Sequence, residues 1–225
     1  MTRAGAGLTG VSSSSTSVAD VDGDGNQDLL ITGRDANFDP TATLYLGDGT
    51  GGFSEAGAGL TGVRNGSTSI ADLDGDESLD LLITGEDGKG NPTTTLYLGD
   101  GSGSFTEAGA GLTNVSASST SIADANGDGN PDLLITGENA NSKATTTLYL
   151  GDGNGGFSEA NAGLKNVFLG STSIADVDGD GNQDLLISGF DSNFDPTATL
   201  YLGDGSGGYS EAGAELTGVY RGSTS

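Results

Sequence analysis

A tract of 52 residues occurs four times in succession without insertion or deletion. Ala19-Asp20 recurs as Ala71-Asp72, Ala123-Asp124 and Ala175-Asp176, which sets the units at 18–69, 70–121, 122–173 and 174–225. Residues 1–17 match residues 209–225: Leu8-Thr9-Gly10-Val11 aligns with Leu216-Thr217-Gly218-Val219, and Ser15-Thr16-Ser17 with Ser223-Thr224-Ser225. Of the 52 columns, 26 are identical in all four units, so the chain holds four nearly equal structural units, the mark of recent amplification or deliberate construction. A fixed period of this kind confines the fold to an array or a ring in which each unit buries its apolar face against the next.

Within a unit the residues predict four short strands. In the first they are 15–19, 28–32, 41–46 and 53–56, the last running on toward Leu60. Asp-Gly-rich turns, Gly33 with the loop after it, and Gly47-Asp48-Gly49-Thr50-Gly51-Gly52 separate them. Helical periodicity is absent, and 42 glycines oppose long helices. A continuous apolar second strand beside an alternating third suits a sheet covered on both faces. The expected fold is therefore all-β: a β-propeller of four-stranded antiparallel blades, four blades per chain. The duplicated ends fit a closure in which one terminus supplies the outer strand of a blade begun by the other. A linear β-solenoid is the alternative, though its coils are usually shorter.

Only 33% of residues are hydrophobic and the formal charge is −25, a pairing shared with disordered chains. The apolar residues nevertheless lie in compact runs such as Leu29-Leu30-Ile31 and Leu44-Tyr45-Leu46. With 7 basic against 32 acidic residues, binding to nucleic-acid phosphates or to an anionic membrane is disfavoured. The absence of Cys removes disulfides, thiolate metal sites and thiol nucleophiles; the absence of His removes the commonest general base. No apolar run approaches the ~20 residues of a membrane span. The N-terminus has no apolar signal-peptide core, so a cytoplasmic protein or a mature or excised piece of a secreted one is expected.

The chemistry lies between strands one and two. Numbered from Asp20, the loop Asp20-Val21-Asp22-Gly23-Asp24-Gly25-Asn26-Gln27-Asp28 has carboxylates at positions 1, 3, 5 and 9 and glycine at 6. That is the first part of an EF-hand calcium loop, but position 12 is Ile31 rather than a bidentate Glu. Crowded acids with only oxygen ligands suit Ca2+ better than Mg2+, which insists on octahedral geometry and keeps its water. The expected ligands are Asp20, Asp22, Asp24, Asn26 and Asp28 in unit one; Asp72, Asp74, Asp76, Ser78 and Asp80 in unit two; Asp124, Asn126, Asp128, Asn130 and Asp132 in unit three; and Asp176, Asp178, Asp180, Asn182 and Asp184 in unit four. About one Ca2+ per blade, up to four per chain, is expected, with affinity of the order of 10⁻⁴ to 10⁻³ M, as in extracellular modules. Site two ranks weakest, because Glu77 replaces the turn glycine, and site three next, because Asn126 removes a charge. An Asp-Gly turn without metal is the plainer reading of any single loop.

Asp20 through Gly33, with copies ending at Gly85, Gly137 and Gly189, resembles the FG-GAP or VCBS-type repeats of integrin-like β-propellers; Leu44 to Phe53 is similar to the third strand and turn of bacterial members. The resemblance implies an extracellular, calcium-stabilised module serving adhesion or the binding of sugars or proteins. It departs from the integrin form in lacking Phe-Gly before strand one and in having Ile-Thr-Gly where that form has Gly-Ala-Pro. The family usually closes with seven blades.

Loops 1–2 and 3–4, nearly constant, are expected at one end of each blade, and the variable links and 2–3 loops at the other. Binding residues favour variable loops on a rigid scaffold. The off-pattern aromatics there, Phe38, Phe168, Phe190, Phe194 and Tyr220, are candidate ligand contacts; drift in solvated loops is the bland reading. Tyr45, Tyr97, Tyr149 and Tyr201 recur in every unit and read as packing residues. Three classes remain: a calcium-stabilised scaffold for a glycan or protein ligand, a purely structural or designed repeat protein with no ligand beyond calcium, and an enzyme. The last is disfavoured, since no base recurs beside the Ser-Thr-Ser hydroxyls. A homodimer completing an eight-bladed ring is the expected assembly, with a four-bladed monomer and a piece of a longer array or another assembly as the alternatives.

Overall fold

The computed structural model describes residues 7–214 and 216–218, so Tyr220 lies outside the described residues. These residues form sixteen strands in four antiparallel sheets and, among them, no helix. The first sheet contains β1 (Ser12–Ala19), β2 (Asp28–Arg34), β3 (Pro40–Gly47) and β4 (Phe53–Ala56). The second contains β5 (Thr68–Ala71), β6 (Asp80–Glu86), β7 (Pro92–Gly99) and β8 (Phe105–Ala108). The third contains β9 (Ser116–Ala123), β10 (Asp132–Glu138), β11 (Ala144–Gly151) and β12 (Phe157–Glu159). The fourth contains β13 (Phe168–Ala175), β14 (Asp184–Phe190), β15 (Pro196–Gly203) and β16 (Tyr209–Glu211). Strand order within every sheet follows the chain, so each unit is a simple meander.

The first strand is longer than the sequence predicts in three sheets. β1 continues back to Ser12 by crossing a bulge, where Ser13 takes φ 50° and pairing resumes at Ser12 opposite Arg34. The bulge adds a residue and bends the edge. In the second sheet the same stretch survives only as a bridge between Arg64 and Glu86.

Packing between sheets follows the repeat. Val21, Leu30 and Leu44 of the first sheet form one buried cluster with Val63, Leu81, Ile83 and Tyr97. The same columns build a second cluster around Leu73, Leu82 and Leu133 and a third around Ala125, Leu134 and Leu185. Each fully buried leucine is worth about 1.5–3 kcal/mol, so the junctions carry most of the stability. The recurrent tyrosines are buried, and their hydroxyls accept N–H bonds from the preceding connection: Thr61 on Tyr97, Thr113 on Tyr149 and Lys165 on Tyr201. Thr9 makes the same bond to Tyr45 at 3.1 Å, so residues 8–11 stand where a preceding unit's connection stands in the other sheets. Both duplicated ends are thus in use, since β16 supplies the outer strand of the fourth sheet. The part of the N-terminal copy that would match that strand lies outside the described residues.

A ladder of hydroxyls joins the first strands. Thr68 Oγ1 lies 2.7 Å from Ser17 Oγ and 3.1 Å from Ser15 Oγ. Thr120 meets Ser69 and Ser67 likewise, and Thr172 meets Ser121 and Ser119. These strands line a cavity of about 510 Å³ that touches Ser17, Ser69, Ser121 and Ser173. The Ser-Thr-Ser column, whose hydroxyls have no recurring base beside them in sequence, is the seam between the sheets.

Candidate metal centres

The loop between β1 and β2 is organised by its own carboxylates. Asp28 opens β2 and is buried; its Oδ2 accepts the Val21 N–H at 2.8 Å and its Oδ1 accepts the Gly47 N–H at 2.8 Å. Asp80, Asp132 and Asp184 repeat both bonds in their sheets. Position 9 therefore pins the carboxylate loop to the turn between the third and fourth strands. Asp20 Oδ2 accepts the Gly25 N–H, Asp22 Oδ1 the Asp24 N–H, and Asp24 Oδ1 the Asn26 N–H. The sixth residue has positive φ in every copy: Gly25 88°, Gly129 91°, Gly181 93°, and Glu77 72°. Glu77 adopts the left-handed conformation that its sequence position demanded, at a cost a glycine avoids.

Positions 1, 3 and 9 converge. Asp20, Asp22 and Asp28 each offer an oxygen within 4.8 Å of the others, as do Asp72, Asp74 and Asp80, and Asp176, Asp178 and Asp184. Each trio could hold a metal ion. In unit three, Asn126 stands at position 3, and its amide donates to Asp128 Oδ2 at 2.9 Å. Position 5 is turned to the loop itself: Asp24 Oδ2 accepts from the Asn26 side chain at 2.9 Å, and Asp180 accepts the same bond from Asn182. In units one and four the expected ligands at positions 5 and 7 are therefore paired with each other.

The electrostatics fit a cation. Asp20 Oδ1 is buried without a hydrogen-bond partner, an acceptor left over in an acidic cluster. Burial raises the Asp22 carboxyl above its usual range; the Asp24 N–H opposes this, and the charges of Asp24, Asp28 and Asp20 add to it. Burial likewise raises Asp80 and Asp132, against the N–H bonds they accept. Carboxylates in this condition are favoured in their charged form by a nearby positive charge.

A model of the FG-GAP-like repeat matches the chain three times, over residues 20–83, 72–135 and 124–187. The chain belongs to the FG-GAP-like repeat family. No curated protein matches it. Among solved structures it is similar to two variants of an exo-β-1,3-galactanase from Phanerochaete chrysosporium crystallised with β-1,3-galactotriose, at 10% identity and TM-scores of 0.47 and 0.48, over 83% of this chain and 46% of that one. It is also similar to the biofilm matrix protein Bap1 of V. cholerae, at 17% identity and TM-score 0.39, over 89% of this chain and 39% of that one. The chain therefore spans less than half the length of these structures. In this FG-GAP-like chain the matched segments contain the carboxylate loops of all four units.

The far end of the sheets is chemically varied. One cross-strand pair there reads Ser12 with Arg34, Arg64 with Glu86, Ser116 with Glu138, and Phe168 with Phe190. Arg64 and Glu86 form a salt bridge. Phe168 packs edge-on against Phe194 with ring centres 5.5 Å apart, and Phe190 lies 6.0 Å from Phe168. Three of the five aromatics singled out in sequence thus form one cluster. Phe38 stands apart, with the Arg34 guanidinium 5.8 Å above its ring. The signal that sequence reading missed is this pair of columns, whose partners become visible only once the strands are in register.

Proposed function

We propose that this chain is a calcium-stabilised β-propeller scaffold, extracellular, that binds a carbohydrate or protein ligand at the end of its sheets opposite the carboxylate loops. Its four sheets are blades in this reading, with their first strands around a common channel. The observation that carries it is the carboxylate trio of positions 1, 3 and 9, present in units one, two and four at one fixed register. A hard divalent cation with flexible coordination is the ion such a set suits, and Asp20 Oδ1 has a lone acceptor to give it. The ion would bind loop to turn and hold each blade's end rigid; it would take no part in chemistry. The Ser-Thr-Ser hydroxyls support a scaffold over a catalyst, since they are committed to the seam.

The ligand end is supported by two exposed aromatic rings held at a left-handed turn position. Phe38 and Phe194 sit at φ 68° and 63°, where unit two has Gly90. Ser142 of unit three shares this left-handed turn position, and the two rings there remain 71% and 69% exposed although Phe194 meets Phe168 and Phe38 meets Arg34. Left-handed bulky side chains that stay largely open to solvent are found at functional positions. Exposed aromatic faces suit the apolar faces of sugar rings.

Calcium titration by calorimetry and a glycan array, run on the native chain and on Phe194→Ala, test the two parts separately. Heat of binding that vanishes in Asp20→Asn/Asp72→Asn/Asp124→Asn/Asp176→Asn supports the cation. Array signal lost in Phe194→Ala supports the ligand end. A blank array with calcium binding intact leaves the purely structural repeat protein, which the near-identity of the units favours.

A further inference from the structure

The three internal junctions show what the two outermost sheet faces lack. At the junction of the first and second sheets, Val21 is 2% exposed and Leu30 fully buried on one side, facing Leu81 and Ile83 on the other. On the outer face of the fourth sheet the matching residues are Val177, 56% exposed, and Leu186, half-buried. On the outer face of the first sheet Leu29 and Ile31 are half-buried, whereas Leu81, Leu133, Leu185, Ile83, Ile135 and Ile187 are buried. Val18, in the column of Ile70, is 58% exposed. Among the described residues, no buried cluster joins the first and fourth sheets.

Turn packing says the same. A Cβ placed on Gly103 would lie 3.5 Å from Asp22 Cβ and 3.6 Å from the Leu46 side chain of the preceding unit, and Gly155 and Gly207 meet their neighbours likewise. Gly51, in the same column of unit one, has nothing within 4 Å. Gly23, Gly75 and Gly127 lie under the carbonyls of Gly101, Gly153 and Gly205 of the following unit, and Gly179 under none within 4 Å. Asp176 and Asp178 of the fourth trio are exposed, while Asp20, Asp22, Asp72 and Asp74 are half-covered.

We propose that the outer face of the fourth sheet docks on the outer face of the first sheet of a second copy of this chain, head to tail, repeating the internal junction except that residues 8–11 of the second copy already supply the connection. The surface is the interior one cut open: Val177 and Leu186 take the places of Val21 and Leu30, and Val18, Leu29 and Ile31 those of Ile70, Leu81 and Ile83. The docked turn would cover the fourth carboxylate trio as the others are covered. Such an interface is heterologous, so each chain uses two different faces and a ring results where the rotation closes. An eight-bladed ring of two chains is the smallest such closure. The docking needs neither ligand nor calcium, because apolar faces and turn packing form the junction.

Light scattering at 1–100 µM in 150 mM salt with calcium tests it on the native chain, Val18→Lys and Val177→Lys. Both positions are exposed in a single chain, so the fold tolerates them, as unchanged circular dichroism will verify. The native chain should show two or more times the 22.1 kDa chain mass, and each variant the single-chain mass. Mixing the two variants should restore a two-chain species through the one junction that is still unsubstituted. A native chain that stays at single-chain mass throughout, or an oligomer that neither variant dissociates, overturns the proposal.

Discussion

Asp132 accepts the backbone N–H of Gly151 at 2.9 Å, 19 residues along the chain, with no exposure to solvent. Its other oxygen accepts the Ala125 N–H at 2.8 Å. The position that closes the carboxylate trio in the other units thus also braces the loop against the end of the third strand. Removing Asp132 leaves two N–H donors without acceptors in a buried place. Asp132→Ala should destabilise the chain by about 3 kcal/mol, since each charge-assisted bond is worth ~1.5–3 kcal/mol. Urea unfolding in excess chelator reads this brace without any contribution from metal; a change within error would show that the bonds carry no net stability.

Calcium should raise the melting temperature. An ion that binds only the folded chain adds about 2.7 kcal/mol per site at a hundred times its dissociation constant. Differential scanning calorimetry in 10 mM calcium against EGTA measures it, and identical curves would remove calcium from the account.

Glu77 offers a gain in stability. It holds φ 72° where the other units have glycine. Glu77→Gly should stabilise by about 1 kcal/mol, by relieving a left-handed side chain. The reverse change, Gly129→Glu, should cost a similar amount. Both are read as shifts in the urea midpoint at constant slope.

Acid should act through the turns. Asp48 lies below the usual carboxylate range because it accepts the Thr50 N–H and hydroxyl and the Gly52 N–H. Asp100 and Asp204 are lowered chiefly by the hydroxyls of Ser102 and Ser206. A carboxyl whose folded value is depressed stabilises the fold above its unfolded value, near 3.8, and loses that contribution as pH falls through the folded value. Asp80 and Asp132, raised by burial, run the other way: their charged forms disfavour folding, and protonation just above 3.8 relieves this. In chelator, stability should therefore hold or rise on moving from pH 7 toward the carboxylate range and fall below about 3.8. Asp48→Asn/Asp100→Asn/Asp204→Asn should flatten the fall below 3.8 and leave the higher-pH limb unchanged.

The sequence by itself determined the unit, its four strands, the carboxylate loop and the left-handed sixth position, because each rests on local rules: strand alternation, turn chemistry and the φ that a tight loop imposes. The 52-residue period also marked Tyr45 and its copies as packing residues before any partner was known. What only the tertiary structure decided depends on register and neighbours. The Ser15, Ser17 and Thr68 hydroxyls meet across 51 to 53 residues, the Phe168–Phe190 pair needs two strands aligned past a bulge, and Asp24 turns to Asn26 rather than to the trio. Val21 and Val177 make the case most plainly: the same residue in the same motif is 2% exposed in one unit and 56% in the other. Burial belongs to the neighbour a sheet receives, and a sequence repeat specifies the face without saying what will cover it.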